Sequence, residues 1–291
     1  MRLLNAKTLQ LDEFFDEDIP AYAILSHTWA EKKEVTFQDI CGPTREKEPG
    51  FTKIKGCCAQ TIKDGLEWVW IDTCCIDKTS SAELSEAINS MYRWYAESRV
   101  CYIYLSDVDA AEDPGRHNST FRRSRWFKRG WTLQELLAPA ELRFFGSSWD
   151  ELTTQIIKQP VAPPYGQAEQ GERYKRDKRS LLNIVREVTG IRSDILAHRT
   201  SVFSASMAER ISWAAGRSTS RREDRAYSLL GLMDINMPLL YGEGDKAFAR
   251  LQEELIRKSY DHSLFAWGCW GRMTPRSSSG TKGRRQATSF N

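Results

Sequence analysis

At 291 residues, with 41% hydrophobic and 28% charged side chains, the chain has an ordinary globular composition and length for about two domains, which excludes global disorder, collagen and coiled coil. The net charge is +3, but the stretch from Gly271 to Asn291 holds five Lys/Arg and no acid, leaving −2 on the remainder. That is no footprint of a dedicated nucleic-acid binder. No window approaches the roughly 18 apolar residues of a membrane span, and Met1-Arg2-Leu3-Leu4-Asn5 runs into Asp12, Glu13 and Asp16, unlike a signal peptide, so a cytoplasmic location is expected.

The opening stretch Leu3 to Leu11 reads as a hairpin that adds edge strands. Tyr22-Ala-Ile-Leu-Ser26 is a short apolar run closed by polar residues, the pattern of a buried strand. A helix is predicted from Phe51 to Ile62, a strand over Glu67 to Ile71 ending at Asp72, and a helix from Ala82 to Glu97. That helix has Leu84, Ile88, Met91 and Tyr95 at helical spacing, and Ser80 with Glu83 as a capping box. Val100 to Leu105 is a third strand, Arg125 to Leu137 a helix stopped before Pro139, and Leu142 to Phe145 a fourth strand.

Strand-helix alternation calls for a parallel sheet covered by helices on both faces, because parallel neighbours need crossover connections. A doubly wound, mostly parallel α/β domain is therefore expected. Ligands of such sheets bind outside the carboxyl ends of the strands, where the topology changes direction. Those ends carry Ser26, His27, Asp72, Ser106 and Asp107. From about Pro160 to Ser180 the Pro, Gln, Gly, Lys and Arg content reads as a linker or exposed loop. Helices are predicted beyond it at Leu181 to Val188, Met207 to Ala215, Arg222 to Met233 and Lys246 to Lys258, then a short strand at Leu264 to Trp267.

Seven cysteines, including the adjacent pairs Cys57-Cys58 and Cys74-Cys75, form no Cys-x-x-Cys. Reduced, buried thiols are the expectation and no metal site is predicted. Cys74 or Cys75 near His27 would form a nucleophile pair if both reached one crevice. Gly242-Glu-Gly244-Asp-Lys has too few glycines and too much acid for a phosphate loop.

The most informative stretch is Arg125-Trp-Phe-Lys-Arg-Gly-Trp131-Thr-Leu-Gln-Glu135-Leu-Leu137. At about 100° per residue, Leu133, Leu136 and Leu137 share one face while Glu135 projects from the opposite side near Trp131. Under a second element, burial would raise its pKa and Arg129 would lower it.

Ala23-Ile-Leu-Ser-His-Thr-Trp29, Trp70-Ile-Asp-Thr-Cys-Cys-Ile-Asp77 and Arg129-Gly-Trp-Thr-Leu-Gln-Glu135 resemble, in order, the three signature blocks of the fungal HET (heterokaryon incompatibility) domain. Glu223 to Asp234 and Met237 to Gly244 resemble the helical extension that follows such domains. Ala30 departs from the glycine usual in the first block.

Composition reads 156–180 as a linker or exposed loop and 271–291 as a disordered basic tail, while the resemblance implies a HET domain over 1–155 and a helical extension packed on it over 181–270. It implies an effector of programmed death after non-self recognition, working with a separate sensor or NOD-like protein or as a homo-oligomer. HET domains are similar to TIR domains, hence a TIR/flavodoxin-like fold. Some TIR domains cleave NAD with a glutamate placed as Glu135 is. By that likeness NAD is the substrate, no cofactor is required, Glu135 is catalytic, and Ser26, His27, Trp29, Asp72, Arg129 and Trp131 bind substrate. The competing reading is a non-enzymatic module that signals by self-association.

Overall fold

The computed structural model describes residues 1–29, 34–42, 50–152, 156–157, 181–258, 261 and 263. Among them, strands β1 (Arg2–Asn5), β2 (Leu11–Glu13), β3 (Tyr22–His27), β4 (Trp68–Trp70), β5 (Val100–Tyr104), β6 (Glu141–Phe145) and β7 (Ile156–Ile157) form one sheet. Its order is β2-β1-β4-β3-β5-β6-β7. The central β4, β3, β5 and β6 are parallel, with Ile24 opposite both Trp70 and Cys101. β1, β2 and β7 join antiparallel, so the opening hairpin does supply edge strands. From β3 the chain moves first to β4 on one side and then to β5 on the other. The topology therefore changes direction at the strand that carries Ser26 and His27.

Strand alternation sorts the two faces. The Tyr22 hydroxyl donates to the Trp94 carbonyl at 2.6 Å, and the Cys101 thiol points at the Glu135 carbonyl. Tyr22, Ile24, Ser26 and Cys101 thus look toward α3 (Ser81–Glu97) and α5 (Thr132–Leu137). On the other face the Tyr102 hydroxyl donates to Asp64 at 2.7 Å, at the end of α2 (Phe51–Lys63). Helices cover both sides of a mostly parallel sheet.

Trp70 meets Trp94 and Tyr95 edge to face at 5.6 and 5.9 Å in the centre, each such pair adding about 0.5–1.5 kcal/mol beyond its burial. The predicted capping box of α3 is half made. Ser80 caps the Glu83 N–H, but the Glu83 carboxylate accepts from the Asp77 N–H at 2.8 Å and pairs with Arg2.

The helix predicted from Arg125 to Leu137 is interrupted. Arg125–Lys128 is a 3-10 turn, Arg129 is extended, and α5 begins at Thr132. The cause is long-range pairing: Gly130 N–H donates to Ser218 O at 2.8 Å and Ser218 N–H to Lys128 O at 2.7 Å.

The later region holds α6 (Leu181–Thr189), α7 (Ser193–Leu196), α8 (Met207–Ser212), α9 (Asp224–Tyr227), α10 (Leu230–Met233) and α11 (Lys246–Lys258). The single helix predicted over 222–233 divides at Ser228 and Leu229, and α10 ends at Asp234, whose φ is +54°. α10 packs on α3 so closely that a Cβ at Gly231 would lie 2.1 Å from the Tyr92 Cβ. Asn89 of α3 also exchanges hydrogen bonds with the Met237 backbone at 3.2 and 3.3 Å. One continuous apolar core runs from Leu3 to Leu255. β7 falls within the stretch read as linker; the rest of it, the strand predicted at 264–267, Cys269 and the basic tail lie outside the described residues.

Candidate functional site

The carboxyl ends of β3 and β4 open into a cleft of about 590 Å³. Its wall on the α3 side is apolar, from Leu84, Ile88 and Met91, and its floor includes His27, Asp72 and Glu135. Ser218 to Arg221, Asp224 and Tyr241 cover it from the helical region. Of the residues expected to bind or react, His27, Trp29, Asp72, Arg129, Trp131 and Glu135 all line this cleft. Ser26 sits just behind it.

Glu135 is buried because all of α5 is buried. Its Oε2 accepts a hydrogen bond from the Ser26 hydroxyl, which accepts from the Trp126 indole N–H at 2.8 Å. Burial pushes the Glu135 carboxyl up to about 8, and the negative charge of Asp72 adds to this. The Ser26 hydrogen bond and the Arg129 charge work against the rise. The carboxyl is therefore largely protonated at neutral pH.

Asp72 behaves oppositely. Burial alone would raise it, yet the charges of Lys78 and Arg129 hold it below the usual carboxylate range. Its Oδ2 accepts from the Trp29 indole N–H at 2.9 Å, while its buried Oδ1 has no hydrogen-bond partner. His27 Nε2, also buried and without a hydrogen-bond partner, lies 3.8 Å from Asp72 Oδ1 and 3.7 Å from Glu34. Burial and the nearby Lys53 lower the His27 pKa, so its ring is neutral. The cleft thus brings a protonated acid, an ionised acid and a neutral imidazole together.

Trp29 was expected to bind substrate. Two cations already sit on it, Lys78 with its ammonium 3.8 Å and Arg129 with its guanidinium 4.9 Å from the ring centre. Trp131 lies beside Asp224, which accepts from the Tyr241 hydroxyl at 3.0 Å. Arg221 covers the Tyr241 ring at 4.4 Å.

The cover is tied to α5 by Arg217, whose Nη1 donates to Arg129 O at 3.1 Å and to Thr132 Oγ1 at 3.0 Å. Burial pushes Arg217 down to about 10, against the pull of the Glu135 charge. The cover packs tightly on Gly130: a Cβ there would lie 2.5 Å from Thr219 Cγ2.

Other candidates fall outside the cleft. Asp107 accepts from the Ser124 hydroxyl at 2.8 Å and the Arg125 N–H at 2.9 Å, bracing the loop, and Ser106 lies against Arg125. Cys74 and Cys75 are buried against the Ile71 and Val69 carbonyls and do not line the cleft. The Cys75 hydrogen bond and burial raise the Cys74 thiol, which disfavours the thiol-nucleophile arrangement. Among the described residues no three His, Cys, Asp or Glu are grouped to hold a metal ion.

Sequence reasoning missed Lys78, Lys128, Arg221, Asp224 and Tyr241. Lys78 follows the second signature block directly and was within reach. The last three arrive through folding across some 90 residues, with no spacing to announce them.

Residues 22–123 match the family model described as heterokaryon incompatibility protein (HET), and residues 246–291 one described as a domain of unknown function (DUF8212). Over 244 residues the chain is 41% identical to vegetative incompatibility protein HET-E-1 of Podospora anserina, an alignment covering 81% of this chain and 16% of that protein. The chain thus corresponds to a small part of that relative's length. No solved structure matches it.

Proposed function

We propose, from the premise that this chain carries a heterokaryon incompatibility (HET) domain, that it acts in heterokaryon incompatibility as an effector of cell death by cleaving NAD. The observation that carries this reading is Glu135, a buried acid with a raised pKa on the floor of a covered cleft at the carboxyl edge of a parallel sheet. Perturbed acids in such clefts mark catalytic sites. The order β4-β3-β5-β6 supports a doubly wound, TIR-like architecture.

In the reaction, the bond from ribose C1′ to the nicotinamide nitrogen breaks and its electron pair leaves with nicotinamide. The ribosyl oxocarbenium ion left behind takes up water, and a proton is released. A carboxylate beside the ribose stabilises the developing positive charge. Asp72 supplies permanent negative charge at neutral pH, and Glu135 supplies it as its proton leaves. Ser26 holds Glu135 in place, and the apolar α3 wall keeps water from the rest of the cleft.

The test is expression of wild type and Glu135→Gln in a host cell, following NAD and viability together, with circular dichroism to establish folding. Wild type is expected to deplete NAD before cells die, and the variant to do neither. Death with NAD intact, or equal killing by both, overturns the enzymatic reading and favours a module acting by self-association.

A further inference from the structure

Five cationic side chains from three parts of the chain line the cleft: Lys78 after β4, Arg125, Lys128 and Arg129 before α5, and Arg221 from the cover. Elsewhere several cations meet acids: Arg143 pairs with Asp64 and Glu151, Lys53 with Glu34, and Arg250 with Glu243, although the buried Arg210 donates to the Leu232 carbonyl instead. Arg125 pairs with Asp107, outside the cleft, at 3.5 Å; among the described residues the other four are in no ion pair. Lys78, Arg129 and Arg221 rest on aromatic faces instead. A ring positions a cation and leaves its N–H donors unspent. The acids of the cleft are meanwhile taken by neutral donors: Asp72 by Trp29, Asp224 by Tyr241 and Glu135 by Ser26. The positive charge is left facing the empty space.

The second observation is the pair His27 Nε2 and Asp72 Oδ1, both buried, both without a hydrogen-bond partner and 3.8 Å apart, with the Glu34 carboxylate 3.7 Å from the same Nε2. A hydroxyl group both donates and accepts, so one hydroxyl beside both atoms satisfies them together. Buried polar atoms left unmade are costly, and both belong to residues that line the cleft, which points to a ligand.

We propose that the cleft binds a nucleoside diphosphate, with its phosphates between Lys78, Arg129 and Arg221 and a ribose hydroxyl against His27 and Asp72. The volume of about 590 Å³ is within the range of small-molecule sites. The inference deepens the NAD reading by naming the group that anchors the substrate, and it rests on the cleft being a nucleotide site but not on bond cleavage.

The test is calorimetric titration of the full chain with ADP, adenosine and inorganic pyrophosphate, for wild type, Lys78→Met, Arg221→Ala and Asp72→Asn, with thermal melts establishing folding. ADP is expected to bind, adenosine to bind at least tenfold more weakly, and Lys78→Met and Arg221→Ala each to weaken ADP about tenfold. Asp72→Asn is expected to weaken ADP but not pyrophosphate. Arg221 is exposed, so its removal leaves the fold intact even if Lys78→Met does not fold. Absence of ADP binding, or equal binding by wild type and Arg221→Ala, overturns the proposal. ADP binding without NAD loss in cells leaves it standing and removes only the cleavage reading; NAD loss without ADP binding does the reverse.

Discussion

Glu135 is held where water would not put it. Its native pKa of about 8 lies above the ordinary carboxyl value of 4.5, so the folded chain keeps a proton that the unfolded chain loses. Stability therefore falls as pH rises between those values and is insensitive to this group below the lower one. Glu135→Gln removes that dependence. At pH 8 the variant is expected to be more stable than wild type by a few kcal/mol (about 1.4 kcal/mol per pKa unit), with the difference gone at pH 4, as denaturant titration at both pH values will show. If the ionised carboxyl is the working form, kcat/KM for NAD rises with pH and levels above about 8. A profile that falls across that range removes this role. The position of Glu135 was legible because its leucine neighbours fix its direction and burial follows. Ser26, His27 and Asp72 were legible as strand ends. The cations on Trp29 were not, since an aromatic in a signature block gives no sign of whether protein or ligand occupies its face.

Among the elements, α5 and the segment before it show where local reasoning stops. Helical spacing extends unbroken from Arg125, yet the backbone straightens at Arg129 to pair with Ser218. That pairing brings the cover within reach of the cleft, and Gly130 is the residue that permits it. Gly130→Ala is expected to cost about 1–3 kcal/mol, as overpacking does, and to weaken ADP binding by displacing Arg129 and Arg221. Chemical denaturation and titration measure both. Wild-type stability and affinity would show that Thr219 yields without moving the cover. By contrast α2, α3, α11 and the central strands match their sequence periodicity to within a few residues, because each buries a continuous stripe along its own length.

For the whole molecule, sheet and helical region share one core through α3 and α10. Unfolding is therefore expected to be a single transition, with far-ultraviolet circular dichroism and tryptophan fluorescence melting at the same denaturant concentration. Two separated transitions would show that the parts are independent. The overall α/β class was readable from alternation alone, whereas the joining of the two parts depends on contacts such as Asn89 with Met237 that no window of sequence contains. The ladder between Arg129 and Ser218 has a consequence for inheritance. A recombination event that grafted the strand-bearing half onto a foreign helical partner would transmit Glu135 intact but leave behind Arg217, Arg221, Asp224 and Tyr241. Such a hybrid would own the acid without its surroundings, and the two halves of the cleft must travel together to be of use.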